Sequence, residues 1–378
     1  MIYKTIEELT TVVTGGTPST SKAEYWENGN IPWLQSGCCQ NCDVNQADKF
    51  ISQSGYDNSS TQVMPVNTVM IALTGATAGK VGYLNIEACG NQSITGIFPC
   101  EELNPRFLFY FLISQRRKVL VECVGGAQAH ISQGYVKKIK VPVYSKSIQE
   151  RIVNIMNICS KNIKHYEMIL KEYDELIKAR FIEMFGEPVS NDKGWVKDSV
   201  ERLCREIYGG GTPSKSHPEY YEGGEIPWIT SKDMKTDILI DSQIHINEDG
   251  VANSTARIVP SNSVIMVIRS GILKHTLPIA INAVPVTVNQ DLKVFVAGNR
   301  IVTKFLAYQF KMMERDILSG VRAVTADNIE FDALKRRKLI VPPMELQQEF
   351  ADFVEQIDKS RFDIKKSIIE LEREVVYD

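Results

Sequence analysis

The chain of 378 residues contains one sequence pattern written twice, and this repeat limits its fold more than any other feature. A Gly-Gly-Thr-Pro-Ser motif at Gly15–Ser19 recurs 195 residues later at Gly210–Ser214. Self-similarity over so long a period indicates two copies of one domain, with small insertions in their loops. The offset is 195 for Ile31-Pro32-Trp33 and Ile226-Pro227-Trp228, 198 for Asn91-Gln92 and Asn289-Gln290, and 200 for Val141-Pro142 and Val341-Pro342.

Each copy begins with about 145 residues in which short apolar segments are bounded by turn residues, a pattern typical of β-strands. A segment with apolar residues at mixed three- and four-residue spacing follows and predicts a helix. Each copy is therefore predicted to be a mixed α/β domain built on a sheet core. The predicted strands are Val63–Leu73, Val81–Leu84, Val264–Ile268 and Leu292–Val296, and the predicted helices are Pro105–Val121 and Val302–Leu318.

Each copy ends in a long predicted helix, the first from about Ser147 to Phe185, with Ser147-x-x-Glu150 as a capping box. The same apolar stripe occurs in both helices at an offset of 198, with Arg361 as the one polar exception. Its average spacing is close to that of a straight helix, so the helices can pair with little supercoiling. The stripe is Ile148, Ile152, Ile155, Cys159, Ile163, Tyr166, Leu170, Tyr173 and Ile177 in the first helix, and Leu346, Phe350, Phe353, Ile357, Arg361, Ile364, Ile368, Leu371 and Val375 in the second.

Two equivalent helices in two copies of one unit can pair about a pseudo-twofold axis, which would make them antiparallel. The predicted fold class is therefore α+β, with two pseudo-symmetric domains separated by a long antiparallel two-helix coiled-coil spacer. The helix ending at Phe185 would form a rod of roughly 60 Å. The predicted divisions are 1–145 for the first domain, 146–186 for the central helix, 187–343 for the second domain and 344–378 for the C-terminal helix.

Composition argues for a protein of the cytoplasm. The chain has eight cysteines, its N-terminus lacks a basic-then-apolar signal pattern, and no apolar run approaches the roughly 20 residues of a membrane span. The net charge is −3, and the last 35 residues carry 5 basic and 10 acidic side chains. The remainder is close to neutral, so a nucleic-acid interface would require basic residues concentrated on one face.

Ordered motifs in both copies resemble the target recognition domains of the specificity subunits of type I restriction–modification enzymes. The Gly-Gly-Thr-Pro-Ser turn, a following Tyr-Trp or Tyr-Tyr and then Ile-Pro-Trp resemble the opening of such a domain. Arg269–His275 and Val288–Asp291 resemble its later stretches, and Ile-x-Val-Pro followed by Gln-Glu resembles its junction with a spacer helix. Leu176–Gly186 resembles the end of a central spacer helix. The resemblance covers essentially the whole chain.

The resemblance implies a DNA-reading subunit without chemistry of its own. Each domain would read one half of a bipartite double-stranded DNA sequence, and the helices would set the gap between the halves. Two methyltransferase subunits would dock along the helices and bring S-adenosylmethionine, and motor–nuclease subunits are an optional further partner. No cofactor is expected on this chain. The apolar stripe could be only an intramolecular seam, but Tyr166, Phe181, Phe185, Phe362 and Tyr377 suggest more apolar surface than one helix can cover, and hence a docking surface for these partners.

Three polar loops are candidate DNA contacts. The first follows the Gly-Gly pair, whose own amides could approach a phosphate or form only a structural turn. The second is the loop from Leu73 to Gly82. Arg269 lies at the related place in the second copy, where it could pair with guanine. The third loop precedes the last basic strand of each copy and contains Gln128 and His130 in the first copy and Arg322 in the second. For each loop the alternative is ordinary surface polarity. The predicted DNA-binding residues are Thr17, Ser19, Lys22, Thr74, Thr77, Lys80, Gln128, His130, Ser214, Lys215, Arg269, Lys274 and Arg322.

No catalytic or metal signature is found in the sequence. The stretch Leu73–Gly82 lacks the spacing of a nucleotide-binding loop. Cys38-Cys39-x-x-Cys42 is half of a zinc pattern without its second half, so no metal site is predicted. The Trp and Tyr residues of the Ile-Pro-Trp and Tyr-Trp motifs are interpreted as core residues. The sequence therefore favours binding over catalysis.

Three alternatives remain open at this level. One is the recognition subunit of a related two-chain restriction enzyme, which would read DNA in the same way. Another is a stand-alone protein-binding scaffold. A third is a methyltransferase that carries its own recognition domains.

Overall fold

The computed structural model describes residues 2–122, 131–319, 322–323 and 327–377. It divides into two compact units, of which unit 1 comprises Met1–Met168 and Asp363–Asp378 and unit 2 comprises Ile169–Phe362. Each unit contains the sheets of one copy of the repeat. Both long helices contribute a part to each unit, because each helix passes through a unit boundary.

The elements of the first copy are short strands, short helices and two longer helices. The strands are β1 (Ile2–Thr5), β2 (Val12–Thr14), β3 (Ile31–Leu34), β4 (Cys42–Val44), β5 (Lys49–Ile51), β6 (Val69–Ala72), β7 (Val81–Leu84), β8 (Cys89–Gly90), β9 (Ile94–Ile97) and β10 (Lys140–Val143). The helices are α1 (Ile6–Leu9), α2 (Gln53–Asp57), α3 (Pro105–Glu122), α4 (Gln133–Lys138) and α5 (Lys146–Phe185).

The elements of the second copy follow in nearly the same order. The strands are β11 (Lys197–Ser199), β12 (Cys204–Gly209), β13 (Ile226–Ile229), β14 (Ile238–Leu239), β15 (His245–Ile246), β16 (Val264–Val267), β17 (Ile279–Asn282), β18 (Thr287–Val288), β19 (Leu292–Ala297), β20 (Arg322–Ala323), β21 (Asp327–Asn328) and β22 (Lys338–Ile340). The helices are α6 (Val200–Leu203), α7 (Glu248–Ala252), α8 (Thr303–Met312), α9 (Glu314–Leu318), α10 (Phe331–Arg336) and α11 (Met344–Tyr377).

The two copies have the same sheet topology. A five-stranded sheet has the order β2-β9-β6-β7-β4 in unit 1 and β12-β19-β16-β17-β14 in unit 2. A three-stranded sheet has the order β5-β3-β8 and β15-β13-β18, and terminal strands pair as β1 with β10 and β11 with β22. The edge strands β4 and β14 are parallel to their neighbours, and the other ladders of the five-stranded sheets are antiparallel. The prediction of one fold encoded twice is confirmed.

The central strands begin after a tight turn that the sequence prediction did not resolve. The predicted strand Val63–Leu73 is shortened to β6 because Asn67 takes a left-handed conformation with φ of 69°. Asn262 does the same in unit 2, with φ of 62°. Asparagine tolerates this region better than other non-glycine residues. In each unit this turn comes just before the central strand, β6 in unit 1 and β16 in unit 2. All residues of both strands are buried.

Helices α3 and α8 cover the central sheets with apolar side chains that are buried in each core. The second predicted helix, Val302–Leu318, is interrupted at Met313, which separates α8 from α9. The interruption brings the Glu314 carboxylate to the backbone N–H of Leu277, with a nitrogen–oxygen distance of 2.7 Å. A continuous helix was therefore a wrong prediction at this point.

Helix α5 begins at Lys146, one residue before the predicted start. Ser147 therefore lies inside the first turn and is not the N-cap, and the backbone N–H groups of Ile148 and Gln149 donate to the carbonyl of Ser145. The predicted capping box is wrong. The helix is instead attached to its domain through Gln149, whose side chain is completely buried.

Burial along α5 follows the domain core as well as the apolar stripe. Val153 is buried in the core of unit 1, whereas Ile155, a predicted seam residue, is 49% exposed. Two residues along an α-helix correspond to a rotation of about 200°, so burial of Val153 turns Ile155 away from the core. Of the other predicted seam residues, Ile177, Phe350, Ile357 and Cys159 are buried, while Ile152, Tyr166, Leu170, Tyr173, Phe353, Ile364, Ile368 and Leu371 are half-buried. The side chain of Val375 lies outside the described residues.

Within unit 2, the end of α5 and the beginning of α11 run antiparallel. Arg180 of α5 pairs with Glu349 near the start of α11 at 2.8 Å, and Asp174, earlier in α5, pairs with Arg361, later in α11. Four completely buried phenylalanines pack together between these segments and α8 with centroid distances of 4.8 to 6.4 Å. They are Phe181, Phe185, Phe305 and Phe350. The expectation that Phe181 and Phe185 face a partner is therefore wrong, whereas Phe362 is 70% exposed.

Among the described residues, no helix combines the length and the low polarity that a transmembrane span requires.

Candidate nucleic-acid interface

The Gly-Gly pair of each repeat forms a structural turn against the three-stranded sheet. The backbone N–H of Gly16 donates to the carbonyl of Gly90 at 2.8 Å, and that of Gly211 donates to Val288 at 3.0 Å. A Cβ atom on Gly15 or Gly210 would overlap this backbone. The amides of Gly15, Gly16 and Gly211 are therefore engaged within the fold, which favours the structural-turn alternative over a phosphate contact.

The tryptophan of the Ile-Pro-Trp motif holds the turn in place. The Nε1–H of Trp33 donates to the carbonyl of Gly16 at 2.9 Å, and that of Trp228 donates to the carbonyl of Gly211 at 3.0 Å. Trp33 and Trp228 are 3% and 5% exposed. The interpretation of these tryptophans as core residues is confirmed, and the two turns are built in the same way.

We predict that Gly210→Ala lowers the free energy of unfolding of unit 2 by about 1–3 kcal/mol or more, because the new methyl group must displace the backbone at Val288. Urea unfolding and hydrogen exchange of the Thr212–Lys215 segment would measure the loss. Gly271→Ala is the matched control, because nothing lies within 4 Å of its added Cβ. Equal stability of the two variants would contradict this explanation of the turn.

The threonine after each Gly-Gly pair hydrogen-bonds to a glutamine from a distant loop. Thr17 donates to the side-chain oxygen of Gln92, and Thr212 donates to that of Gln290. Beyond each threonine the chain is exposed at the predicted DNA-binding residues Ser19, Lys22, Ser214 and Lys215.

A second loop, which follows the central strand, contacts the residue after each of these glutamines. In unit 1 the hydroxyl of Thr74 donates to that of Ser93 at 3.0 Å. In unit 2 the Arg269 guanidinium pairs with Asp291 at 2.6 Å. The loop that carries Thr17 and the loop that carries Thr74 therefore both contact the dipeptide Gln92-Ser93.

We call this arrangement the loop junction: Thr17, Thr74, Gln92 and Ser93 in unit 1, and Thr212, Arg269, Gln290 and Asp291 in unit 2. Sequence reasoning missed Gln92, Ser93, Gln290 and Asp291 as site residues. The signal that could have found them is the Asn-Gln dipeptide, which repeats at an offset of 198.

The remaining predicted residues lie at several places. Thr77 is half-buried, and the Lys80 ammonium contacts the side chain of Gln40 at 2.6 Å. Lys274 is exposed at the end of a 3₁₀ turn, Gly271–Lys274. Gln128 and His130 lie outside the described residues, as does the side chain of Arg322. The backbone of Arg322 pairs with Asn328, which itself bridges to the backbone of Arg269.

The junction of unit 2 lies beside a cluster of positive charge. Lys293 and Lys335 both place their ammonium groups over the ring of Phe331, at 4.7 and 4.3 Å from its centroid. Burial lowers the pKa of Lys293, and the charges of Lys335 and Arg269 lower it further. At the position of Lys293, unit 1 has the buried Thr95.

A groove of about 410 Å³ opens at this junction in unit 2. Ten of its twelve lining residues have hydroxyl, amide or charged side chains, which can donate and accept hydrogen bonds at the edges of bases or at phosphates. The groove is lined by Thr212, Lys215, Trp228, Thr230, Ser231, Lys232, Asp233, Gln243, Ile244, Asn289, Gln290 and Asp291. Within the described ranges, no group of three or more His, Cys, Asp or Glu side chains is arranged to hold a metal ion.

Specificity subunits of type I restriction enzymes are among the proteins that resemble the chain. The EcoR124I/EcoR124II specificity subunit of Escherichia coli is 30% identical over 60% of this chain, and the match spans 57% of that protein. The MjaIX specificity subunit of Methanocaldococcus jannaschii is 21% identical over 98% of this chain and 89% of its own length.

The structural similarity supports the same fold. An S subunit from M. genitalium superposes with a TM-score of 0.55 at 14% identity, covering 99% of this chain and 93% of that one. A structure described as the basis of complex assembly and conformational transition of the type I R-M system superposes with a TM-score of 0.59 at 15% identity, covering 99% and 94%.

The family profile described as "Type I restriction modification DNA specificity domain" matches residues 2–172 and 193–373. These two matches coincide with the two copies of the repeat and extend into the long helices. The resemblance predicted from the sequence motifs is confirmed, and the chain belongs to the type I restriction–modification DNA specificity family.

Proposed function

We propose that this chain is the non-catalytic specificity subunit of a type I restriction–modification enzyme. The observation that carries the proposal is that one loop junction is built twice on the same backbone but with different side chains. The repeated hydrogen bonds of Trp33 and Trp228 keep the scaffold constant. The change from Thr74 to Arg269 alters the chemistry that each unit presents. Two such readers suit an asymmetric bipartite DNA sequence.

DNA binding by this chain would depend on local charge. The net charge is −3, so general attraction to the phosphate backbone is weak. In unit 2, Lys215 and Lys232 line the groove, and Lys293 of β19 follows two residues after Asp291 of the same lining. Phosphate contacts by these lysines would position the unit on the duplex, and the junction would then read base edges.

The proposed partners supply what this chain lacks. Two methyltransferase subunits bring S-adenosylmethionine and the base-flipping reaction, and motor–nuclease subunits complete a restriction enzyme where they are present. In this division of labour, the long helices set the gap between the half-sites. A rigid spacer can do this because successive major-groove segments on one face of B-DNA lie about 34–36 Å apart.

Methylome sequencing of the host with and without the gene tests the proposal. Loss of one split methylated motif on deletion of the gene is the expected result. An unchanged set of methylated motifs would contradict the proposed function.

We predict that deletion of one helical turn, 167–170 of α5, shortens the gap by about one or two base pairs and leaves both half-sites unchanged. Four helical residues span about 6 Å, and DNA rises about 3.4 Å per base pair along each strand. Methylome sequencing of the variant would measure the gap. The control replaces the same four residues by alanine, which keeps the helix length and should keep the gap. Altered half-sites with an unchanged gap would contradict the assigned role of the helices.

A further inference from the structure

We propose that one equivalent pair of side chains in each unit selects one base pair in each half of the DNA site. The pair is Thr74 with Ser93 in unit 1 and Arg269 with Asp291 in unit 2, and the Arg269 pair selects guanine. This inference rests on the proposed function, because it names the residues through which each unit would read its half-site.

The two pairs occupy the same backbone position. The N–H of Leu73 donates to the carbonyl of Ser93 at 2.9 Å, and the N–H of Ile268 donates to that of Asp291 at 2.9 Å. The carbonyls of Leu73 and Ile268 in turn accept from Ile131 and Ile329, again at 2.9 Å in both units. The fold therefore does not require either pair, because the same hydrogen-bond framework accommodates both.

Asp291 holds the Arg269 guanidinium in one orientation. Both Nε and Nη2 of Arg269 lie 2.6 Å from the same oxygen, Oδ1 of Asp291. The other oxygen, Oδ2, accepts from the side chain of Asn289 at 3.2 Å. Asn289 is 8% exposed, and its backbone N–H donates to the carbonyl of Ile229 at the end of β13. A guanidinium oriented in this way loses less side-chain entropy when it binds.

The orientation leaves the end of the guanidinium suited to guanine. Asp291 engages the edge formed by Nε and Nη2, whereas the opposite end carries parallel N–H groups on Nη1 and Nη2. Two parallel donors match O6 and N7 of guanine in the major groove. The Arg269 side chain is 49% exposed, so a base edge can reach it. Among the described residues, Asp291 is the carboxylate with which Arg269 forms an ion pair.

The unit 1 pair has different recognition chemistry. The hydroxyls of Thr74 and Ser93 can each donate or accept, because their hydrogens rotate. They cannot present two parallel donors in a fixed plane. Unit 1 should therefore discriminate less strictly at the equivalent position of its own half-site.

Allele replacement in the host, with the partner subunits at their native level, tests this inference by methylome sequencing. Arg269→Gln should change one G·C position in one half-site, with guanine preference falling about 5- to 150-fold and adenine gaining, because glutamine pairs with adenine. Arg269→Lys keeps the charge but loses the planar fork, and it should weaken preference at the same position. The matched control is Arg205→Gln, a 65% exposed arginine of β12, which should leave the motif unchanged.

The reciprocal transplant separates recognition from folding defects. The double variant Thr74→Arg with Ser93→Asp should impose a guanine requirement in the other half-site, and a misfolded chain cannot produce such a gain. Any of three results overturns the inference. The first is methylation of the unchanged motif by the strain with Arg269→Gln, the second is a change of only the gap or an A·T position in that strain, and the third is a transplant that adds no guanine requirement. A wild-type strain without a split methylated motif would instead refute the proposed function itself.

Discussion

Phe350→Ala is expected to lower the free energy of unfolding of unit 2 by about 3–5 kcal/mol, the usual cost of removing a buried phenylalanine. Phe350 is completely buried, and its ring lies 5.4 Å from that of Phe181 and 5.7 Å from that of Phe185. Truncation leaves a cavity between α5, α11 and α8, which close-packed aromatic rings cannot fill without moving the helices. Urea unfolding followed by hydrogen exchange of β16 peptides would measure the loss.

Two comparisons control this prediction. Phe362→Ala removes the same side chain from an exposed position of α11 and should change stability by no more than about 0.5 kcal/mol. Peptides from β6 report on unit 1 in the same Phe350→Ala molecule and should keep their protection. If both phenylalanine variants lost the same stability, the aromatic cluster would not be what holds these helix segments together.

Gln347→Leu is the second large expected effect, because Gln347 attaches α11 to its domain. Its side-chain oxygen accepts from the N–H of Val302 at 2.9 Å, and its amide donates to the carbonyls of Arg300 and Pro342 at 3.2 and 2.8 Å. Gln347 is completely buried. Leucine would leave three backbone groups without partners, and each buried group left unsatisfied costs roughly 1–3 kcal/mol.

Unit 1 has the same attachment at Gln149. Its side-chain oxygen accepts from the backbone N–H of Asn104 at 2.7 Å. Its side-chain amide donates to the backbone carbonyls of Glu102 and Tyr144 at 2.9 and 2.8 Å. We therefore expect Gln149→Leu and Gln347→Leu each to destabilise their own unit by roughly 3 kcal/mol or more. Urea unfolding would measure this loss. Under the proposed function, the direction of the long helix relative to its domain would become less fixed. Methylation would then also occur at sites whose gap differs by one base pair.

The neighbouring Gln348 provides the matched control. It is exposed and bonds to Asp352 on its own helix, so Gln348→Leu should leave both stability and gap unchanged. Equal effects of Gln347→Leu and Gln348→Leu would contradict the proposed attachment. Loss of stability with an unchanged gap would mean that the buried glutamine supports the fold without setting the spacing.

Much of the fold could be predicted because the repeat is encoded along the chain. Matching motifs at fixed offsets predicted two copies of one domain, and the identical strand orders confirm them. The end of α5 at Phe185 was also predictable, because Gly186 takes a left-handed conformation, with φ of 74°, that stops a helix. These features depend on local patterns, so a single sequence was sufficient to predict them.

The predictions that failed depended on contacts between distant residues. Apolar periodicity predicted a seam through Ile155, but the anchoring of α5 by Gln149 and Val153 turned that side chain outward. Phe181 and Phe185 looked like surplus surface because the sequence does not show that Phe305 and Phe350 meet them. Burial of a helix face is decided by what packs on it, and periodicity alone cannot identify that neighbour.

By itself the sequence determined the duplication, the long helices and the polar loops of each copy, because these follow from local residue patterns and their recurrence. The tertiary structure alone decided which loops meet. Thr17 reaches Gln92 across 75 residues, and Thr212 reaches Gln290 across 78. Only the folded sheets bring these segments together, since hydrogen bonds of this kind require the backbone framework to be in place first. The pairing of Arg269 with Asp291 has the same origin.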